Sequence, residues 1–181
     1  NLGYLMMNNK ILLLPGDGVG PEIMSEAVKL LDYLIDNKVI DIAYEFADIG
    51  GIAIDNHGDP FPEHTFEKAK ASRAILLGAV GTKKHEKNEN KMKPESGLLA
   101  LRKKLDLYIN LRPIFIFENL IDKSSLKADI IKDIDLVIVR ELVSDIYFGE
   151  PRGFDEVNKS AFNTMRYSEA EVRRITEYAI K

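Results

Sequence analysis

No cysteine occurs among the 181 residues. Disulfides, thiolate catalysis and cysteine-ligated metal sites are excluded together. Long apolar runs are missing as well. The longest are short, Ile11-Leu12-Leu13-Leu14 among them, whereas a membrane helix needs about 18 apolar residues. Positive charge is in deficit, with 25 Lys and Arg against 29 Asp and Glu, a formal net charge of −4. That balance argues against a nucleic-acid partner, which calls for a basic domain or stripe. Nothing near the start reads as a secretion signal, so the expected compartment is the cytoplasm. What is present is ordinary for a folded chain: 45% hydrophobic and 30% charged residues, too apolar for disorder. At roughly 150 residues per domain, the length allows one domain or one and a fraction.

Residues 1–6 are expected to be a leader, because Asn1-Leu2-Gly3-Tyr4-Leu5 precedes Met6-Met7 and the first strand opens only at Lys10. The run Ile11–Leu14 predicts a strand buried on both faces. The turn Pro15-Gly16-Asp17-Gly18-Val19-Gly20 follows. Pro21-Glu22 opens a helix, since proline suits the first helical position and glutamate the positive end of the dipole. Ile23, Ala27, Leu30, Leu31 and Leu34 mark its predicted apolar face. A strand is predicted over 42–46, a loop around Gly50-Gly51 and His57–Pro60, and a helix over 65–71. A second buried strand is predicted over 74–77, ending at Gly78. Residues 81–94 are polar, rich in lysine and without periodicity, the pattern of a long surface loop. Further on, the pattern predicts a helix over 98–105 and a strand in 108–117 interrupted at Arg112-Pro113. A buried strand over 136–140, an exposed strand over 161–167 and a helix over 169–180 complete it. Strands alternating with helices give an α/β class with some parallel sheet. The sequence stops at Lys181 inside a helical pattern with no cap, which carries the expectation of an incomplete protein.

The glycine-rich turn does not match the dinucleotide fingerprint G-x-G-x-x-G. Asp17 and Glu22 bring negative charge where a pyrophosphate would sit, and Pro21 removes a donor. It is read either as a tight strand-to-helix turn or as a turn that lets backbone approach a ligand. Arg102, Arg112 and Arg140 come from separate segments. Arg140 ends an apolar strand, where open α/β sheets place ligands. Three guanidinium groups can clamp carboxylates, each bond contributing about 1.5–3 kcal/mol when the partner is charged. Alternatively, each pairs with a local acid such as Glu141 or Asp106. Tyr147 is either half-buried packing or a proton donor assisted by nearby cations. His57, His64 and His85 all fall in polar loop sequence with no metal-like pairing, and are expected at the surface. The lysines of 81–93 are either a solvated face or an anion-facing lid.

Several segments together resemble the β-decarboxylating dehydrogenases, the isocitrate/isopropylmalate dehydrogenase family. Residues 10–22, KILLLPGDGVGPE, are similar to the family's amino terminus, and Leu76–Gly81 to its LLGxVG strand end. Residues 94–113, PESGLLALRKKLDLYINLRP, and 140–149, RELVSDIYFG, are the most specific parts. The resemblance implies the α/β fold of that family, with a first domain over 1–107 and a second starting at Tyr108. It implies a two-stranded dimer arm over 151–167. It also implies that Arg102, Arg112 and Arg140 clamp substrate carboxylates and that Tyr147 is a general acid. Gly81, Thr82, Lys83, Lys84, His85 and Glu86 match the NAD-side loop, usually GGPKWE. Glu95 matches an acidic residue between substrate and nicotinamide ribose. Leu98-Leu99 resembles the paired leucines of members that act on 3-isopropylmalate; isocitrate, homoisocitrate and tartrate are the alternatives. Mg²⁺ or Mn²⁺ is implied, with its aspartate ligands, a catalytic lysine and the main adenosine-binding loop all in sequence after Lys181, so that the 181 residues alone are expected to be inactive. A homodimer is implied as well. Departures from the pattern are His85 for tryptophan, Thr82-Lys83 for Gly-Pro, and Val143-Ser144-Asp145 for Thr-Gly-Gly. Asp145 would oppose ionisation of the nearby phenol. A competing reading is a non-catalytic fragment that acts as a pairing partner.

Overall fold

The computed structural model describes residues 9–181, so the expected leader lies outside the described residues. The chain forms two units, one ending at Leu105 and the other spanning Asp106–Lys181. The class is α/β, as the alternation of elements predicts.

In the first unit, strand β1 (Lys10–Gly16) is the centre of a three-stranded sheet, flanked by β2 (Ala43–Phe46) and β3 (Ala74–Ala79). Both pairings are parallel. Leu12, Leu13 and Leu14 are all fully buried, which accounts for the continuous apolar run: a strand covered on both faces has no polar face to alternate with. Leu12 and Leu14 join a core with Ala47, Ile49, Phe61, Ala69 and Leu101. Helix α1 (Gly20–Asp36) packs against β1 and β3.

The apolar face of α1 differs from expectation. Ile23 and Leu30 are exposed, while Met24 is buried and Ala27, Val28, Leu31, Leu34 and Ile35 are half-buried. Spacings of three and four from Met24 define the true inward stripe. β3 is not fully buried either, with Leu76 37% exposed, because it is an edge strand. Gly50-Gly51 is not loop: Gly51 starts helix α2 (Gly51–His57). Helix α3 (Glu63–Ala71) follows. The polar stretch after β3 contains two short 3-10 turns, Lys83–His85 and Asn90–Met92. Helix α4 (Pro94–Lys104) begins four residues earlier than its apolar pattern, with Pro94 in its first turn.

In the second unit, β4 (Ile109–Phe115) pairs antiparallel with β5 (Asp135–Glu141). The strand runs through Arg112-Pro113 without interruption, Pro113 standing opposite Val137. An edge strand tolerates a residue lacking an N–H. Leu136, Val137 and Ile138 are 45%, 55% and 47% exposed, so the expected burial of this strand is not found. A two-stranded ladder leaves much of such a run uncovered. A short helix α5 (Ala128–Ile131) precedes β5. The hairpin β6 (Gly153–Asp155) and β7 (Ser160–Phe162) is antiparallel, and the strand expected over 161–167 ends at Phe162. Its turn is shaped by Asp155, whose carboxylate accepts from the backbone N–H of Val157 and Asn158 at 2.9 and 3.1 Å. Helix α6 (Glu169–Ile180) starts at a capping box between Ser168 and Glu171 and packs against β5.

Candidate functional site

The turn after β1 is built for close packing. Gly16 has φ +70, and a Cβ there would run into the Ala79 carbonyl of β3. The tight-turn reading therefore holds for this glycine. Asp17 is taken up by backbone donors. It is 6% exposed, and its carboxylate accepts three backbone N–H bonds: from Gly51 at 2.7 Å, Ile52 at 2.8 Å and Gly81 at 3.1 Å. One side chain thus joins the β1 turn, the start of α2 and the loop after β3.

That loop carries most of the predicted cofactor-side residues. Gly81, Thr82, Lys83, Glu86, Lys93, Pro94 and Glu95 line an open pocket of about 550 Å³. Gly81 has φ +129, and a Cβ there would sit 3.0 Å from Glu95 Oε1, so a side chain at that position would crowd the carboxylate. The Thr82 hydroxyl accepts from the Lys84 N–H at 3.3 Å and caps the 3-10 turn. Lys84 and His85 turn away from this pocket. Lys84 Nζ donates to both oxygens of Asp55 on α2 at 2.7 and 2.6 Å. That ammonium, with His85 as a lesser cause, holds the Asp55 carboxyl below its usual range. His85 is only 6% exposed, contrary to its expected surface position. Its ring packs beside Gly51, where a Cβ would meet His85 Cδ2 at 3.0 Å. His57 and His64 are exposed but lie on helices α2 and α3, their rings 4.6 Å apart. No group of three or more His, Cys, Asp or Glu that could hold a metal occurs among the described residues.

α4 sorts the remaining residues of this unit by face. Pro94, Gly97 and Leu101 are buried, and Leu98 packs on the core beside them. Glu95, Leu99 and Arg102 fall at spacings of four and three on the adjacent stripe. Glu95 is exposed, and Leu99 and Arg102 are half-buried. The two leucines are therefore not equivalent: Leu98 is shared with the core and Leu99 is not among the residues packed on it.

The second unit brings Arg112, Arg140 and Tyr147 together. Asn110 stands opposite Arg140 and Arg112 opposite Ile138. Arg112 and Arg140 are thus diagonal neighbours on one face of the ladder. Arg140 Nη2 donates to the Tyr147 hydroxyl at 2.9 Å, and its guanidinium lies 5.6 Å from the ring centroid. Arg112 Nε donates to Asn110 Oδ1 at 2.7 Å. Asp106 and Glu141, the acids offered as local partners, both face Arg174. Arg174 on α6 binds Asp106 at 2.9 Å and approaches Glu141 at 3.8 Å. Glu141 also accepts from the N–H and hydroxyl of Ser144 at 3.0 and 2.6 Å. Tyr147 as a whole is 42% exposed. The charge of Asp145 bears on Tyr167, whose phenol is raised above its usual value first by desolvation and then by Asp145.

Sequence reasoning missed three residues of these sites. The pattern reads Asp17 only as a charge opposing phosphate, and it marks neither Asp55 nor Arg152. Arg152 Nη2 donates to the carbonyls of Tyr147 and Gly149 at 3.0 and 2.9 Å, fixing the backbone that carries the phenol. Asp17 and Asp55 act across separations of about 30 residues or more, and no local pattern announces such contacts.

The sequence model of the isocitrate/isopropylmalate dehydrogenase family matches residues 10–181. The chain belongs to this family. Among curated relatives, 3-isopropylmalate dehydrogenase of Neisseria meningitidis serogroup A is 46% identical over 178 residues, covering 97% of this chain and 50% of the relative. The enzyme of the same name from Pseudomonas putida is 49% identical over 172 residues, 93% of this chain and 48% of the relative. Among solved structures, isocitrate dehydrogenase from Methylococcus capsulatus has a TM-score of 0.74 at 28% identity, covering 94% of this chain and 46% of that one. The chain spans about half the length of the curated relatives it matches.

Proposed function

We propose that the full-length protein is an NAD-dependent dehydrogenase that converts 3-isopropylmalate to 2-oxo-4-methylpentanoate and CO₂, a cytoplasmic homodimeric enzyme of leucine biosynthesis. The observation that carries the substrate choice is the α4 stripe. Leu99, with Leu98 at its edge, stands between the Glu95 carboxylate and the Arg102 guanidinium. An apolar surface between two charges suits a substrate with an alkyl branch beside its carboxylates. A third carboxylate buried against it would be disfavoured.

NAD, when bound, supplies the hydride acceptor. The pocket lined by Gly81, Thr82, Lys83, Glu86, Lys93 and Glu95 fits its ribose side: Gly81 leaves the backbone accessible, Glu95 offers a hydroxyl acceptor, and Lys83 and Lys93 add positive charge. Arg112 and Arg140 on one ladder face orient carboxylates; Arg102, on α4 of the first unit, offers a further guanidinium for a carboxylate. The Tyr147 oxygen accepts from Arg140, which leaves its own O–H free to donate a proton to the enolate carbon side after CO₂ departs. The implied Mg²⁺ or Mn²⁺ finds no ligand set among the described residues. The hairpin β6–β7 supports the dimer reading, since Phe154, Val157 and Phe162 are 53%, 89% and 50% exposed.

The test is a steady-state comparison of 3-isopropylmalate, isocitrate, homoisocitrate, tartrate and malate, each with NAD and NADP, using the full-length protein. The highest kcat/KM is expected for 3-isopropylmalate with NAD. A preference for isocitrate or homoisocitrate would overturn the substrate, and no reduction of either cofactor would overturn the activity.

A further inference from the structure

Two carboxylates hold the loop that lines the 550 Å³ pocket, Asp17 at Gly81 and Asp55 further along. Asp55 receives Lys84 Nζ on both oxygens, at 2.7 and 2.6 Å. Its Oδ1 also lies 3.3 Å from Nε2 of the buried His85. The Asn88 amide nitrogen donates to the Met92 carbonyl at 3.0 Å, which fixes it as a donor, and it meets His85 Nδ1 at 3.1 Å. Nδ1 therefore accepts, and the imidazole proton belongs on Nε2, the nitrogen facing Asp55. At 3.3 Å the geometry falls short of a hydrogen bond, so Nε2 is a buried polar atom without a bonded partner, with Asp55 Oδ1 beside it.

We propose that Asp55 is a positioning residue: it takes Lys84 and His85 together and so sets residues 82–86, the wall of the pocket that receives the cofactor. The choice of occupant rests on the dehydrogenase reading above; the positioning itself rests on the contacts. An exposed ion pair alone would do little, and the Lys84 side chain is 65% exposed. The buried imidazole adds a group that water does not reach, whose donor has this carboxylate next to it. The effect is local, because Gly81 at the head of the loop is held separately by Asp17.

The experiment compares Asp55→Asn and Asp55→Glu with the unaltered full-length protein. In Asp55→Asn, the amides of His85 and Glu86, which bond to Thr82 and Lys83 carbonyls, should exchange at least about fivefold faster, with the β1 amides unchanged. KM for NAD should rise about three- to tenfold with kcat within about twofold, and Asp55→Glu should restore much of both. Unchanged exchange in Asp55→Asn overturns the proposal. Faster exchange with an unchanged KM overturns its cofactor half. Faster exchange in a protein that reduces no dinucleotide upholds the positioning and sinks the dehydrogenase reading instead.

Discussion

Arg140 and Tyr147 meet at 2.9 Å, and the direction of that bond matters for what the tyrosine can do. A guanidinium only donates, so the phenol oxygen accepts and its hydrogen remains available. Tyr147→Phe keeps the ring that Arg140 faces and removes only the donor. In the full-length protein, kcat should fall by about 10²–10⁴ with KM little changed. A kcat within a few-fold of the original would return Tyr147 to a packing role. Two residues earlier, Asp145 sits at φ +67, a region costly for residues with a Cβ, and its Oδ1 is buried without a partner. Asp145→Gly relieves both, while the greater freedom of glycine in the unfolded chain offsets part of the gain. The urea midpoint should rise by an amount equivalent to as much as about 1 kcal/mol. A lower midpoint would mean that the contact of the Asp145 carboxylate with Tyr167 outweighs the strain.

At the scale of elements, α4 and α6 make separable forecasts. Leu99→Ser should lower kcat/KM for 3-isopropylmalate against malate by about 1–3 kcal/mol of discrimination, with the melting temperature nearly unchanged. Leu98→Ser should lower the melting temperature as well, because Leu98 packs on the core. Equal losses on both substrates from Leu99→Ser would place that side chain outside the pocket. For α6, Ser168→Ala removes the capping box and should cost about 1 kcal/mol. Glu171 is held below its usual range, chiefly by the Ser168 backbone N–H and then its hydroxyl. Its contribution is therefore complete above the ordinary glutamate value and is lost as pH falls through the lower folded value. Glu171→Gln should flatten the acid side of the stability profile; an unchanged profile would show the cap to be inert. The capping box illustrates what sequence makes legible, since Ser168 and Glu171 are three apart. The same holds for Leu12–Leu14, where one run encodes burial on both faces. α2 is illegible in the sequence because its N-terminal cap is not local: the N–H groups of Gly51 and Ile52 are satisfied by Asp17, 34 and 35 residues away. The run at 136–140 predicts burial that the ladder does not provide, because apolar character reports a need for cover and not the identity of the cover.

Across the whole molecule, the two units differ in how completely their apolar residues are enclosed. The first has a central strand with Leu12, Leu13 and Leu14 at 0% exposure, covered by helices and flanked by two parallel strands. The second rests on one two-stranded ladder whose Leu136, Val137 and Ile138 remain about half exposed. Burial of apolar area is the main source of stability, at about 25 cal/mol per Å². A ladder of two strands is marginal unless other elements cover it. Hydrogen exchange on the 181-residue chain should separate them. Amides of β1 should be the slowest of the chain, and those of β4 and β5 should exchange at least about 100-fold faster, although both are bonded in a ladder. Unfolding followed by exchange should accordingly show two steps and not one. The same chain should bind a dye for exposed apolar surface and should show no turnover of 3-isopropylmalate. Uniform protection across β1, β4 and β5 would mean that the second unit is stabilised by contacts other than burial of this ladder.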